Sequence, residues 1–324
     1  MDDEWEVPDA LQPNPADYGF DLHRRLDAVV ALKGLIPHDA FTAQTLGVER
    51  EGSAVLIDGK GLFLTIGYLI TEAETIWLTG NNGRVVQGHA LAVDAETGFG
   101  VVQALGKLDG IEPIELGDSR NLKLGDTMIV GASGGQGHAV AARVAARQPF
   151  AGYWEYILEE AIFSAPAHPH WGGAACIGMD GRLLGIGSLI LQQGAPGGKR
   201  LDLNMVVPIQ ELTPILPALL RQGRSDRPPV PWLGLLAVEE EEGVSVGSVT
   251  RGAPAEQAGV RPKDRILSVG REPVSDLATL WRAVRAQGNA GVPVALQLER
   301  GTRVLKLTLM SSERRLFLKA PRLH

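Results

Sequence analysis

Short apolar runs broken by glycine turns dominate residues 53–208, and this pattern leaves little room for helices. "SAVLIDGKGLFLTI" (53–66) is the clearest case, two apolar stretches flanking Asp58-Gly59-Lys60-Gly61. "FGVVQAL", "DTMIVGA", "YILEEAIFSA", "GRLLGIGSLI" and "LDLNMVVPI" continue the series. A buried helix needs a run of roughly ten residues or more, whereas short runs closed by turn residues read as strands. Many such strands in succession pair as closed barrels or a sandwich, which leave few open sheet edges. The expectation is a mainly β protein.

The pattern changes twice. "IQELTPILPALLRQG" (209–223) is helical in period and stops at Gly223. "RSDRPPVP" (224–231) is charged and proline-rich, as a linker is. A smaller unit follows over 232–312. In it "GVSVGSV" and "RILSVG" read as strands, and "APAEQAG" as a short helix stopped by Gly259. "DLATLWRAVRAQG" places Leu277, Leu280, Trp281 and Val284 on one helical face, and "VPVALQLER" with "RVLKLTLM" forms a hairpin around Gly301. The predicted division is a mobile acidic arm (1–18), a β domain (19–223), the linker (224–231), the small domain (232–312) and a tail (313–324).

The second unit resembles the PDZ domain of HtrA/DegP-type proteases through "WLGLL", "GVSVGSVTRGAPAEQAGVRPKDRILSVG" and "DLATLWRAV". It departs at Lys263, where the family has glycine, and at Gly270-Arg271. The first unit resembles the trypsin-like domain of the same family through "EGSAVLIDGKGLFLTI", "LGDSRNLKLGDTMIVGA" and "LDLNMVVPI". The implied fold is a chymotrypsin-like double β-barrel followed by a small, helix-capped PDZ domain. For the PDZ unit the resemblance implies a carboxylate-binding loop at Trp232, Leu233, Gly234 and Leu235. The facing wall would be the helix with Leu277, Leu280, Trp281 and Val284. Backbone N–H groups of such a loop hold a chain terminus while the peptide adds as a strand.

The same resemblance locates a catalytic triad, and the residues there differ. Tyr68 takes the place of the histidine, Gly98 that of the aspartate and Trp171 that of the serine. Asp94, four residues before Gly98, reads as an ordinary turn acid. Pro169 stands where the family's glycine donates an oxyanion N–H, and proline has none. A triad needs a nucleophile, a base and an orienting carboxylate. The expectation from these four positions is a protein that is not an enzyme, a catalytically inactive homologue that binds peptides or partner proteins. An active HtrA-family serine endopeptidase is one alternative. A metal-binding protein using His168 and His170, with His89 or His138 as a third ligand, is another.

No cofactor is expected. "GASGGQG" (131–137) precedes "HAVAARVAARQ", a strand by the resemblance, whereas a phosphate loop needs a following helix. Cys176, the one cysteine, sits in apolar "AACIG" and reads as a small core residue. The net charge of −7 argues against a nucleic-acid partner. The acidic start "MDDEWEVPDA" carries no signal-like segment and no apolar run is long enough to span a membrane, so a cytoplasmic location is expected, or a periplasmic one if a leader precedes this sequence. By analogy with the family, Tyr18 and Phe20 would mediate a homotrimer.

Overall fold

The computed structural model describes residues 5–194 and 200–319. The chain divides into two compact units. Among the described residues, one comprises 5–148, 160–194, 200–225 and 319, and the other 149–159 and 226–318. The division predicted from sequence thus misses one exchange: residues 149–159 belong with the smaller unit.

The larger unit holds two closed six-stranded barrels. The first is built from β1 (Val29–Leu35), β2 (Glu49–Leu56), β3 (Leu62–Ile66), β4 (Thr75–Thr79), β5 (Val85–Val93) and β6 (Phe99–Ala104), in the order β1-β2-β3-β6-β5-β4. The second takes β7 (Thr127–Gly131), β8 (Ala139–Ala151), β9 (Ile157–Ala165), β10 (Ala175–Ile177), β11 (Leu183–Gly194) and β12 (Arg200–Pro208), in the order β10-β11-β12-β9-β8-β7. Closure leaves no unpaired barrel edge, which suits strands as short as these. Phe63, Leu64, Val101 and Val102 are buried on β3 and β6 of the first barrel, and Met128, Val130, Ile162 and Val206 share one buried cluster in the second. The helix Leu216–Gln222 ends at Gly223, whose φ of 70° only glycine adopts without strain.

The predicted mobile arm is not free over its described part. Val7 is buried in the core of the second barrel, and its N–H donates to Gly137 O at 2.8 Å. Trp5 packs edge-on against the rings of His138, His168 and His170. Acidity and proline content suggested mobility; two apolar side chains decide otherwise. Residues 1–4 of the arm and 320–324 of the tail lie outside the described residues.

The smaller unit is a sheet of β13 (Leu235–Glu240), β14 (Gly243–Val249), β15 (Arg265–Val269), β17 (Pro293–Arg300) and β18 (Arg303–Met310), with β16 (Glu272–Pro273) paired to β15. The helix Leu277–Arg285 opens with a capping box, Asp276 accepting from Thr279 N while the Thr279 hydroxyl accepts from Asp276 N. It buries Leu277, Leu280, Trp281 and Val284 against Leu235, Ala237, Val269 and Leu296. Lys263 adopts a φ of 71°. This left-handed turn explains the family's glycine at that position: here a residue with a Cβ bears the strain.

Candidate functional site

The three triad positions converge at the seam between the two barrels. Tyr68 follows β3 in a tight turn, and its Oη donates to Ser188 O at 3.0 Å. Gly67 N, next to it, donates to Gly98 O at 2.6 Å, so the loop carrying Gly98 lies against the loop carrying Tyr68. A Cβ placed on Gly172 would stand 2.8 Å from Tyr68 Oη, which puts the Trp171-Gly172 turn directly over the phenol. Trp171 is half-buried there. Burial pushes the Tyr68 phenol well above its ordinary value, while its contact with Trp171 pulls the other way. It is therefore a neutral hydroxyl at any physiological pH.

Strong local bonds position this cleft. Ser53 N donates to Gly172 O at 2.8 Å and Gly173 N to Gly187 O at 2.9 Å, fixing the turn after Trp171 on both barrels. Arg50 is buried and its Nη1 donates to Tyr68 O and Thr71 O. Its Nη2 donates to Thr42 Oγ1, which in turn donates to Glu72. The Glu72 carboxylate also accepts from the backbone N–H groups of Phe41, Thr42 and Lys319. Burial raises its proton affinity, but these bonds outweigh burial and hold it below the usual glutamate range. Asp94 is the turn acid expected, accepting from Thr97 N and Thr97 Oγ1.

The remaining candidates are structural. His168 is fully buried: its Nδ1 accepts from His170 N at 2.9 Å, so its Nε2 carries the proton toward His138 O at 3.0 Å. Burial, partly offset by that second bond, lowers its pKa to about 4. Both ring nitrogens of His168 are engaged in these bonds. Its backbone clasps Asn204 reciprocally, His168 N to Asn204 Oδ1 and Asn204 Nδ2 to His168 O. This clasp fixes the approach to Pro169, which is exposed, and to Trp171. Cys176 is buried beside Met128 and burial pushes its thiol up to about 12, far from a reactive thiolate. Tyr18 and Phe20 touch each other at 5.4 Å between ring centroids, and a Cβ on Gly181 would meet the Phe20 ring.

The second site lies wholly within the smaller unit. Trp232, Leu233 and Leu235 are buried, as are Leu277, Leu280, Trp281 and Val284. Gly234 has a φ of 75°, and a Cβ there would stand 2.2 Å from Ala253 Cβ, so the loop can only be built with glycine. Its shape turns Leu233 N–H and Gly234 N–H toward one point. Glu155 Oε1 sits at that point, 2.9 Å from Leu233 N and 3.0 Å from Gly234 N. Two residues earlier, Tyr153 O accepts from Ala237 N on β13 at 2.6 Å. Trp281 Nε1, on the helix across the groove, donates to Gly152 O at 2.8 Å. Residues 152–155 thus run between β13 and the helix. Sequence reading named the loop Trp232–Leu235 and the helix face but not residues 152–155, which are remote in sequence and carry no motif.

The trypsin-like peptidase domain family matches residues 52–186, and the PDZ domain family matches residues 231–310. The serine endoprotease DegS of Salmonella typhimurium is 25% identical over 309 residues, 89% of this chain and 84% of its own length. The chain is similar to HtrA-type serine proteases and pairs a trypsin-like peptidase domain with a carboxy-terminal PDZ domain. A second relative, the putative serine protease HhoA of Synechocystis, is 28% identical to this HtrA homologue across 83% of the chain and 72% of its own length. The solved HtrA-type protease AlgW with a decapeptide superposes with a TM-score of 0.53 at 22% identity, covering 90% of this chain and 97% of AlgW.

These relatives overturn one expectation. From Tyr68, Gly98 and Trp171 the chain was expected not to be an enzyme, yet DegS is named a serine endoprotease and HhoA a putative serine protease. The names of these relatives thus point to a protease. The physical reason for the correction is that three substitutions describe one arrangement of one nucleophile. They leave the double barrel and the cleft at its seam in place.

Proposed function

We propose that this HtrA homologue recognises free carboxy termini of peptides in the groove between β13 and the helix Leu277–Arg285, on the same chain as its trypsin-like peptidase domain. The observation that carries this reading is the convergence of Leu233 N–H and Gly234 N–H on a carboxylate. A chain terminus offers the same group, and bonds from N–H donors to an ionised acceptor are the stronger kind. Ala237 N, on the free side of β13, supplies the backbone bond that strand addition requires. AlgW, whose fold matches, was solved with a decapeptide. Buried Leu235, Leu277, Leu280 and Val284 make the groove apolar, which favours an apolar last residue. Fluorescence polarisation with labelled decapeptides ending in Val, Leu, Ile or Phe tests this on the full chain. Free-carboxylate peptides are expected to bind and their amidated forms to lose binding; equal binding of the two forms contradicts the reading.

Peptide-bond hydrolysis is the activity that the relatives' names support for the larger unit. An indole offers no nucleophilic oxygen or sulfur, so hydrolysis by this chain draws its nucleophile from a residue other than Trp171. Casein turnover by the purified chain, compared with Trp171→Phe, reads this. Removal of a triad serine costs orders of magnitude in kcat, whereas Trp171→Phe is expected to leave any turnover within about threefold.

A further inference from the structure

The groove that would read chain termini is already filled by this chain. We infer that residues Gly152–Glu155 act as a built-in pseudo-ligand, with the Glu155 side chain standing in for a terminal carboxylate, so that an incoming peptide binds only by displacing them. The inference rests on the terminus-reading proposal above.

Three contacts carry it, and each occupies a group that a peptide would need. Glu155 Oε1 takes both N–H donors of the carboxylate loop. Tyr153 O takes Ala237 N, the donor on the free side of β13. Gly152 O takes the indole N–H of Trp281. The direction agrees as well: from 155 back to 153 the segment passes from the Leu233-Gly234 loop to Ala237, antiparallel to β13, as an added strand does. A side-chain carboxylate and a terminal carboxylate are the same acceptor, so one cradle cannot hold both.

The segment is anchored and yet displaceable. Glu159 pairs with Arg282 on the groove helix, and Ile157 is buried in the core of the smaller unit. Tyr153, by contrast, is exposed, and the Arg282–Glu159 pair lies at the surface where such pairs contribute little. Burial pushes the Glu155 carboxyl above its ordinary value. The opposing bonds from the N–H groups of Glu155 itself, Leu233 and Gly234, together with the Arg314 charge, do not fully compensate. A carboxylate in that condition gains hydration on leaving, which lowers the cost of giving up its place.

The experiment measures peptide affinity on the full chain, using the same free and amidated decapeptides, for wild type, Glu155→Ala, Glu155→Gln and the control Glu242→Ala in an exposed turn. Glu155→Ala is expected to bind free-carboxylate peptides at least tenfold more tightly than wild type. Glu155→Gln, which keeps an uncharged acceptor, should fall between the two, and Glu242→Ala should match wild type. Free peptides that bind wild type and Glu155→Ala within twofold overturn the pseudo-ligand while leaving terminus reading intact. If no variant distinguishes free from amidated peptides, the terminus reading itself fails. Amide hydrogen exchange without peptide decides the occupancy independently. Leu233, Gly234 and Ala237 should exchange at least tenfold more slowly in wild type than in Glu155→Ala or, should that variant fold poorly, Glu155→Gln; equal exchange in folded protein contradicts the inference.

Discussion

The cleft at the barrel seam and the groove of the PDZ unit present their chemistry in opposite ways. At the seam, function hangs on side-chain identity, and Tyr68, Gly98 and Trp171 differ visibly from a Ser-His-Asp set. In the groove, function hangs on backbone N–H groups, which every residue but proline carries. Residue identity there sets the shape, as at Gly234, and the apolar character of the walls. Substitution can therefore be read in a sequence at the first kind of site, whereas occupancy at the second kind is visible only in three dimensions. The two sites also differ in what fills them. The Trp171-Gly172 turn lies over the phenol at the seam, while in the groove the Glu155 carboxylate takes the place that the proposal gives to a peptide terminus.

Two glycine substitutions give the largest effects and probe the two sites in parallel. A Cβ on Gly173 would stand 1.9 Å from Ser53 O and 2.7 Å from Thr65 Oγ1, at a φ of 77°. Gly173→Ala should therefore destabilise the chain by about 3 kcal/mol or more in urea denaturation, since backbone cannot yield there. Gly234→Ala meets Ala253 Cβ and the Trp232 ring, and its loss should be similar. It thus reports on the fold of the PDZ unit rather than on binding alone. If Gly234→Ala proves neutral, the carboxylate loop is not held as described.

A smaller effect is expected at Glu72, which supports the loop behind Tyr68. Its proton affinity is lowered in the folded chain, so its contribution is fully present above the ordinary glutamate value of 4.5 and is lost as pH falls through its lower folded value. Glu72→Gln should cost about 1–2 kcal/mol at pH 7. The gap between wild type and variant should close progressively below pH 4.5, as followed by thermal unfolding across pH. A gap that widens in acid would contradict the assigned bonds.

The fold was largely legible because its signals are local. The hairpin at 53–66, the helix stops at Gly223 and Gly259, and the helical face of Leu277 to Val284 all appear where periodicity and turn residues put them. The triad positions were legible as positions, since the structure brings 68, 98 and 171 to one seam. Their consequence for the class of protein was not, because substitutions at one arrangement do not define a family's chemistry. The arm was misread because Trp5 and Val7 are two apolar residues in an acidic stretch, too few to make a period. Glu155 was invisible for a related reason: it lies 78 residues from Leu233 and is one acid among many.

The smallest effect should have the opposite sign. Lys263 holds a left-handed φ of 71°. Lys263→Gly relieves about 1 kcal/mol of backbone strain, reduced by the greater freedom glycine has when unfolded. A net gain of a few tenths of a kcal/mol in the stability of the PDZ unit is expected, and destabilisation would show that the lysine side chain contributes more than its conformation costs.

The central claim is that one carboxylate cradle serves both Glu155 and a peptide terminus. Amide resonances of Leu233 and Gly234 in the full chain test it most directly. In wild type without peptide, both proton resonances should lie downfield, as N–H groups bonded to a carboxylate do, and should move upfield in Glu155→Gln. Titrating that variant with a free-carboxylate peptide should return both downfield, whereas the amidated peptide should leave them in place. Resonances that ignore both the substitution and the peptide would contradict the account.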